Sequence, residues 1–249
     1  PYAPRILAAA QCPVLTTSAH GEAGLYARDV ELSSDHIRFL AVSGEERVQV
    51  YVPIPGRFTV YNTLTVLGIA KSLGIALEDA AGALKEACGV KGRIEVVPTP
   101  GMPYCVLIDY AHSPDGLEKV LKSVRDFCKG RLISVFGCGG DRDPIKRPIM
   151  GRIGVESADF AIITSDNPRT EEPMAIIRDI LQGITPDMGE YTVIEDRRRA
   201  IRYAMDIAKK DDIIVLAGKG HETYQEIQGV KHHLDEREEV AAHLAELRK

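Results

Sequence analysis

The chain has 249 residues, a formal net charge of −5, 45% hydrophobic residues and 27% charged residues. That length supports one or two domains with a sizeable core, and the acidic balance excludes the clustered basic face of a nucleic-acid binder. The apolar runs are far shorter than a bilayer span, no secretory leader pattern is visible at Pro1, and the five cysteines lack Cys-x-x-Cys spacing, so the expectation is a cytoplasmic protein with no membrane or disulfide framework.

In chain order, Ile6–Ala10 reads as helix. Four strand-like segments follow: 14–17, 25–32, 37–42 and 48–54. Their alternation predicts antiparallel pairing with one wet face. Two helices come next, 58–73 with Val60, Leu64 and Leu67 on one face, and 76–87 with Leu77, Ala80, Ala81 and Leu84. The stretch Pro98-Thr99-Pro100-Gly101-Met102-Pro103 continues neither helix nor central strand and reads as a linker, dividing the chain into 1–104 and 105–249.

From Cys105 the pattern is regular strand–helix alternation. Strands are predicted at 105–109, 132–136, 160–164, 191–195 and 213–217, and most are continuous apolar runs suited to burial on both faces. Amphipathic stripes lie between them: Leu117, Val120, Leu121, Val124 and Phe127; Ile176, Ile177, Ile180 and Leu181; Ile201, Ala204, Met205 and Ala208. The fold class is α/β, a doubly wound, Rossmann-like, mostly parallel sheet preceded by a region of antiparallel strands and helices. A hairpin-like pair, 224–227 with 230–234, and a polar helix at 238–248 close the chain.

In such a sheet, ligands sit outside the carboxyl ends of the strands. The first end reads Asp109-Tyr110-Ala111-His112-Ser113-Pro114-Asp115, with Ser113 as helix cap. There Asp109 either holds a ribose hydroxyl or only stabilises the turn. The second reads Gly137-Cys138-Gly139-Gly140-Asp141-Arg142, a glycine turn able to approach an anion, or simply a turn with a solvated Arg142. The third is Asp166-Asn167-Pro168-Arg169, where Arg169 can clamp a carboxylate and Asp166 can hold an amine, unless the segment is a plain turn with Arg169 paired to Glu171 or Glu172. The fourth is Gly218-Lys219-Gly220-His221-Glu222; Gly220 stands where a Walker loop needs Ser or Thr, and Glu222 offers an acceptor for an ammonium group. The histidines match no zinc spacing, and no metal ligands are assigned.

Together with Pro55–Asn62 and Gly92-Arg93-Ile94-Glu95, these four segments resemble the Mur ligase family, the ATP-dependent amide ligases of peptidoglycan assembly. In that family Asp-Asn-Pro-Arg marks members that add meso-diaminopimelate rather than lysine. The resemblance implies that Arg142, Asp166, Asn167, Pro168, Arg169, Gly218 and Glu222 bind meso-diaminopimelate. It implies that Asn62, Arg93, Asp109 and His112 serve the nucleotide. The implied reaction uses ATP with Mg2+ to phosphorylate the terminal carboxylate of UDP-N-acetylmuramoyl-dipeptide. The diaminopimelate amine then attacks the acyl phosphate.

The family's Gly-Lys-Thr phosphate loop, its N-terminal domain and its carbamylated lysine are not found in these residues, so 1–104 reads as the later part of the ATP-binding central domain and 105–249 as the amino-acid-binding domain. On this reading the chain is a fragment that does not form the amide bond alone, holds no certain catalytic residue, and is a monomer. Two alternatives stay open: another ligase of the same superfamily, such as a folylpolyglutamate synthetase, and a stand-alone amino-acid-binding or regulatory module.

Overall fold

The computed structural model describes residues 3–247 and divides into two compact units, 1–88 and 89–249. In the first unit, helix α1 (Ala3–Ala9) precedes a four-stranded sheet of β1 (Thr17–Ser18), β2 (Leu25–Leu32), β3 (Ile37–Ser43) and β4 (Glu46–Val52) in that order. Strands β2, β3 and β4 form the antiparallel meander that their alternation predicts, but β1 runs parallel to β2, with Thr17 beside Leu25. The reason is local. The Ser18 hydroxyl accepts from the His20 and Gly21 amides, and the Thr16 carbonyl accepts from Leu25, so the loop folds back and re-enters in the same direction. Helices α2 (Arg57–Ser72) and α3 (Leu77–Leu84) cover the sheet, burying Val60, Leu64, Leu67, Leu77 and Ala81 against Leu25, Phe39 and Val50. Each such leucine, at 0–2% exposure, contributes about 2–3 kcal/mol by leaving water.

The second unit is built on a six-stranded sheet. Its strands are β5 (Glu95–Val97), β6 (Cys105–Asp109), β7 (Leu132–Phe136), β8 (Phe160–Ile163), β9 (Tyr191–Val193) and β10 (Ile213–Ala217), ordered β5-β6-β10-β7-β8-β9. All neighbours are parallel except the edge strand β5, which pairs antiparallel with β6. This pairing keeps residues 95–97 in the second unit, so the division at Cys88/Gly89 lies upstream of the Pro98–Pro103 stretch.

Helices α4 (Pro114–Arg125), α5 (Lys146–Glu156), α6 (Pro173–Leu181), α7 (Arg197–Ile207) and α8 (Glu236–Leu247) flank the sheet, and β11 (Tyr224–Ile227) with β12 (Val230–His233) forms the hairpin. One face is covered by α7 and α8, whose Ala200, Ile201, Ala204, Met205, Val240 and Leu244 pack on Ile108, Ile133, Val135, Ile162, Ile214 and Leu216. Ser134 points to the other face, donating to the Gly154 carbonyl of α5 at 2.9 Å.

Helix α5 buries Met150, Ile153 and Val155, and between them Gly151 and Gly154 allow its closest approaches. A β-carbon on Gly151 would sit 2.2 Å from the Ile180 carbonyl oxygen, and one on Gly154 would sit 2.2 Å from the Phe136 ring. Four strands thus end side by side, in the order Asp109, Ala217, Phe136 and Ile163.

Candidate functional site

The loops following β7, β8 and β10 interlock through Asn167. Its Oδ1 accepts from Lys219 Nζ at 2.9 Å and from the Glu226 amide at 3.0 Å, while its Nδ2 donates to Glu222 Oε2 at 2.8 Å. Both acceptor positions of the amide oxygen are therefore taken, and one Nδ2–H remains. The Asn167 carbonyl accepts from the Gly140 amide, and the Gln225 side chain donates to the Asp166 carbonyl at 2.7 Å. Lys219 has no exposed surface, and its ammonium is also 3.4 Å from Glu222 Oε2.

Asp166 is buried. Its Oδ1 accepts from the Asn167 amide at 2.8 Å, and its Oδ2 has no hydrogen-bond partner among the described residues. That oxygen faces Gly218, where a β-carbon would approach it to 2.7 Å, and Gly218 holds φ +117°, a conformation suited to glycine.

Arg169 also adopts a left-handed backbone, φ +52°. Its amide and carbonyl are fixed by the Glu226 carbonyl and the Gln228 amide. Its Nη1 donates to the Gly140 carbonyl at 2.7 Å, and its Nε lies 3.5 Å from Glu226 Oε2. The guanidinium therefore keeps unspent donors. A β-carbon on Gly139 would lie 2.9 Å from Arg169 Nη1 and 3.8 Å from Arg142 Cγ, so the two arginines flank this glycine. Arg142 is exposed and makes one long contact, 3.4 Å, with the Asp141 carbonyl. Pro168 is buried, and its carbonyl leaves room only for glycine at position 140. The pairing of Arg169 with Glu171 or Glu172 weighed from sequence does not form; Glu172 caps α6 and meets Arg178. Glu171 instead accepts from Arg147 Nη2 at 2.7 Å and from the Asp141 amide.

The residues assigned to a nucleotide are arranged differently. Asp109 Oδ2 accepts from the Ile94 amide at 2.9 Å and Oδ1 from the Ala111 amide at 2.8 Å, so this carboxylate ties two loops together. Burial pushes its pKa above the ordinary carboxylate value, against the opposing pull of those two amides and of Arg93. Arg93 and His112 are exposed and flank Tyr110, the guanidinium 5.4 Å and the imidazole 4.6 Å from its ring centre. Asn62 is exposed on α2 of the first unit. Among the described residues no group of three or more His, Cys, Asp or Glu side chains is placed to hold a metal ion, and no helix is long and apolar enough to cross a membrane.

Residues 92–220 match the family described as Mur ligase, glutamate ligase domain. The chain belongs to the Mur ligase family. Its members are ATP-dependent ligases. This Mur ligase chain is 49% identical over 226 residues to a protein of Clostridioides difficile (strain 630) and 48% identical over 248 residues to one of Clostridium tetani (strain Massachusetts / E88), both named UDP-N-acetylmuramoyl-L-alanyl-D-glutamate--2,6-diaminopimelate ligase. The matches cover 91% and 99% of this chain and 46% and 50% of those proteins, so the chain spans about half the length of the curated relatives it matches. A solved structure under the same name superposes over 100% of this chain and 52% of its own, with 37% identity and a TM-score of 0.82.

Sequence reasoning about the Mur ligase loops missed Lys219 and Arg197. Both residue types signal solvent, yet they are 0% and 1% exposed here. Lys219 carried one usable signal, its place two residues beyond a five-residue apolar strand buried throughout.

Proposed function

We propose that this chain carries the amino-acid-binding part of an ATP-dependent ligase that adds meso-diaminopimelate to UDP-N-acetylmuramoyl-L-alanyl-D-glutamate in the cytoplasm. The observation that carries the reading is the loop Asp166-Asn167-Pro168-Arg169, held in place by Lys219 and Glu222, with the Arg169 and Arg142 side chains flanking Gly139. A ligand with an ammonium and a carboxylate at one end suits that arrangement. Arg169 and Arg142 present donors to the carboxylate, and the remaining Asn167 Nδ2–H adds one more. The acceptor capacity left on Glu222 suits the ammonium, with the enclosed Asp166 carboxylate adding its negative charge nearby. Lysine has the ammonium without the carboxylate, so it leaves the Arg169 guanidinium unpaired at a cost of about 1–3 kcal/mol.

The residues do not by themselves make a nucleotide or magnesium centre. Asp109 already serves two backbone amides, and no acidic or histidine cluster is present among the described residues, so no reaction step is assigned to ATP or Mg2+ at these side chains. Their role in the reading comes from the family.

Calorimetric titration of the chain with meso-diaminopimelate and with L-lysine tests the assignment. Binding of the first, at least about tenfold tighter than the second and weakened about 10- to 100-fold in Arg169→Ala, is expected. Equal affinity for both compounds refutes the substrate. Failure of Arg169→Ala to weaken binding refutes the residue.

A further inference from the structure

We propose that Arg197 is the positioning residue of the amino-acid site, an inference that rests on the reading above: its guanidinium fixes the Asp166 carboxylate and the Ala217–Gly218 peptide relative to each other. Arg197 opens α7 with its side chain fully enclosed. Nε and Nη2 both lie 2.8 Å from Glu236 Oε1, and Nη2 donates to the Ala217 carbonyl at 2.8 Å. The remaining corner, Nη1, lies 3.8 Å from Asp166 Oδ2, and neither atom has a hydrogen-bond partner among the described residues. One side chain thus reaches the end of β10, the loop after β8 and the start of α8.

A fully enclosed Arg–Glu pair is a poor way to join α7 to α8, because an apolar pair of equal volume packs them as well without removing two charges from water. What the pair does that an apolar pair cannot is set direction. Asp166 Oδ1 is held by its neighbour's amide, so the Arg197 charge orients Oδ2 toward Gly218, the only residue type there whose lack of a β-carbon leaves that oxygen room. The same guanidinium holds the carbonyl immediately before Gly218. Arg197 acts through these two groups, which set the course of the loops after β8 and β10.

The test compares the wild-type chain with the double variant Arg197→Met, Glu236→Leu, which removes both enclosed charges at nearly constant volume, and with Arg197→Lys. Each is read by hydrogen exchange of the Asp166, Asn167, Arg169 and 218–222 amides and by calorimetry with meso-diaminopimelate. Exchange at least about tenfold faster in these two loops is expected, with β6 and β7 unchanged, together with an affinity loss of at least about tenfold and Arg197→Lys intermediate in both. Unchanged loop exchange in the folded double variant overturns the inference. So does a uniform rise throughout the second unit, which is the behaviour of an ion pair that only stabilises. If the double variant does not fold, Arg197→Lys decides by the same readouts. A wild-type chain that binds no meso-diaminopimelate overturns the substrate reading instead, and the positioning role then stands or falls on the loop exchange.

Discussion

Replacing Lys219 by methionine keeps the length of the side chain and removes its charge from the centre of the loop junction. The ammonium donates to Asn167 Oδ1 at 2.9 Å, lies 3.4 Å from Glu222 Oε2 and sits 5.8 Å from the centre of the Tyr224 ring. Asn167 Oδ1 keeps the Glu226 amide, so no orphaned acceptor is left there. Glu222 loses its counter-charge. Removing one partner of a buried pair costs about 3–5 kcal/mol, and because the Glu222 side chain retains 17% exposure and regains some hydration, the lower end of that range applies. For a unit of this size about 3 kcal/mol lowers the unfolding midpoint by roughly 6–12 °C. Adding Glu222→Gln removes the stranded charge and recovers part of the loss, with a coupling of about 1–2 kcal/mol in the double-mutant cycle. Differential scanning calorimetry of the four proteins measures both quantities. A Lys219→Met midpoint within about 2 °C of wild type refutes the argument, because a fully enclosed ammonium that nothing needs is not physically sustainable.

Arg169→Gly separates folding from binding. Glycine accepts the +52° backbone without strain, which offsets the lost bond to the Gly140 carbonyl, so stability shifts by less than about 1 kcal/mol while meso-diaminopimelate affinity falls by about 10- to 100-fold. Urea unfolding and calorimetry read the two effects. Cys138 lies 3.6 Å from the Met150 sulfur, and burial pushes its thiol up to about 12, so N-ethylmaleimide labels the exposed Cys12 and Cys88 in the native chain and reaches Cys138 only after unfolding. Mass mapping of native protein that finds Cys138 labelled at the rate of Cys12 contradicts this.

Glu95 is pulled upward by burial, but bonds from Arg237 and the Gly92 amide and the Arg237 charge outweigh it and hold the carboxyl below its ordinary 4.5. A depressed carboxylate contributes stability that is present above its unfolded value and lost as pH falls through the folded one, so Glu95→Gln flattens the acid limb of the stability curve below about pH 5. An unaltered slope in denaturant titrations at acid pH counts against the Arg237 contact.

The strands of the second unit were legible because burial on both faces leaves continuous apolar runs; 105–109, 132–136 and 213–217 match the structure residue for residue. Two elements were not legible. Helix α5 alternates its buried Met150, Ile153 and Val155 with Gly151 and Gly154, which carry no hydrophobic signal, and β5 is a three-residue edge strand just before a proline stretch that reads as linker. The parallel course of β1 is likewise set by serine and threonine hydroxyls in a loop rather than by any pattern in the strand. At the site, the exposed candidates were visible as charged residues at strand ends. The enclosed ones were not: a sequence shows that Lys219 and Arg197 are charged but not that the topology encloses them.

That enclosure follows from strand order. β10 comes last among the parallel strands yet inserts between β6 and β7, pairing with both. Its insertion brings Lys219 and Glu222 against Asn167, more than fifty residues earlier in the chain. The geometry of Asp166–Arg169 is therefore not a property of the four residues. Asn167 is oriented at its amide oxygen and nitrogen by groups from positions 219, 222 and 226, and Arg169 is fixed at its amide and carbonyl by 226 and 228. A peptide containing the tetrapeptide alone has none of these partners, and a chain that lost residues beyond 212 would retain the motif without the site.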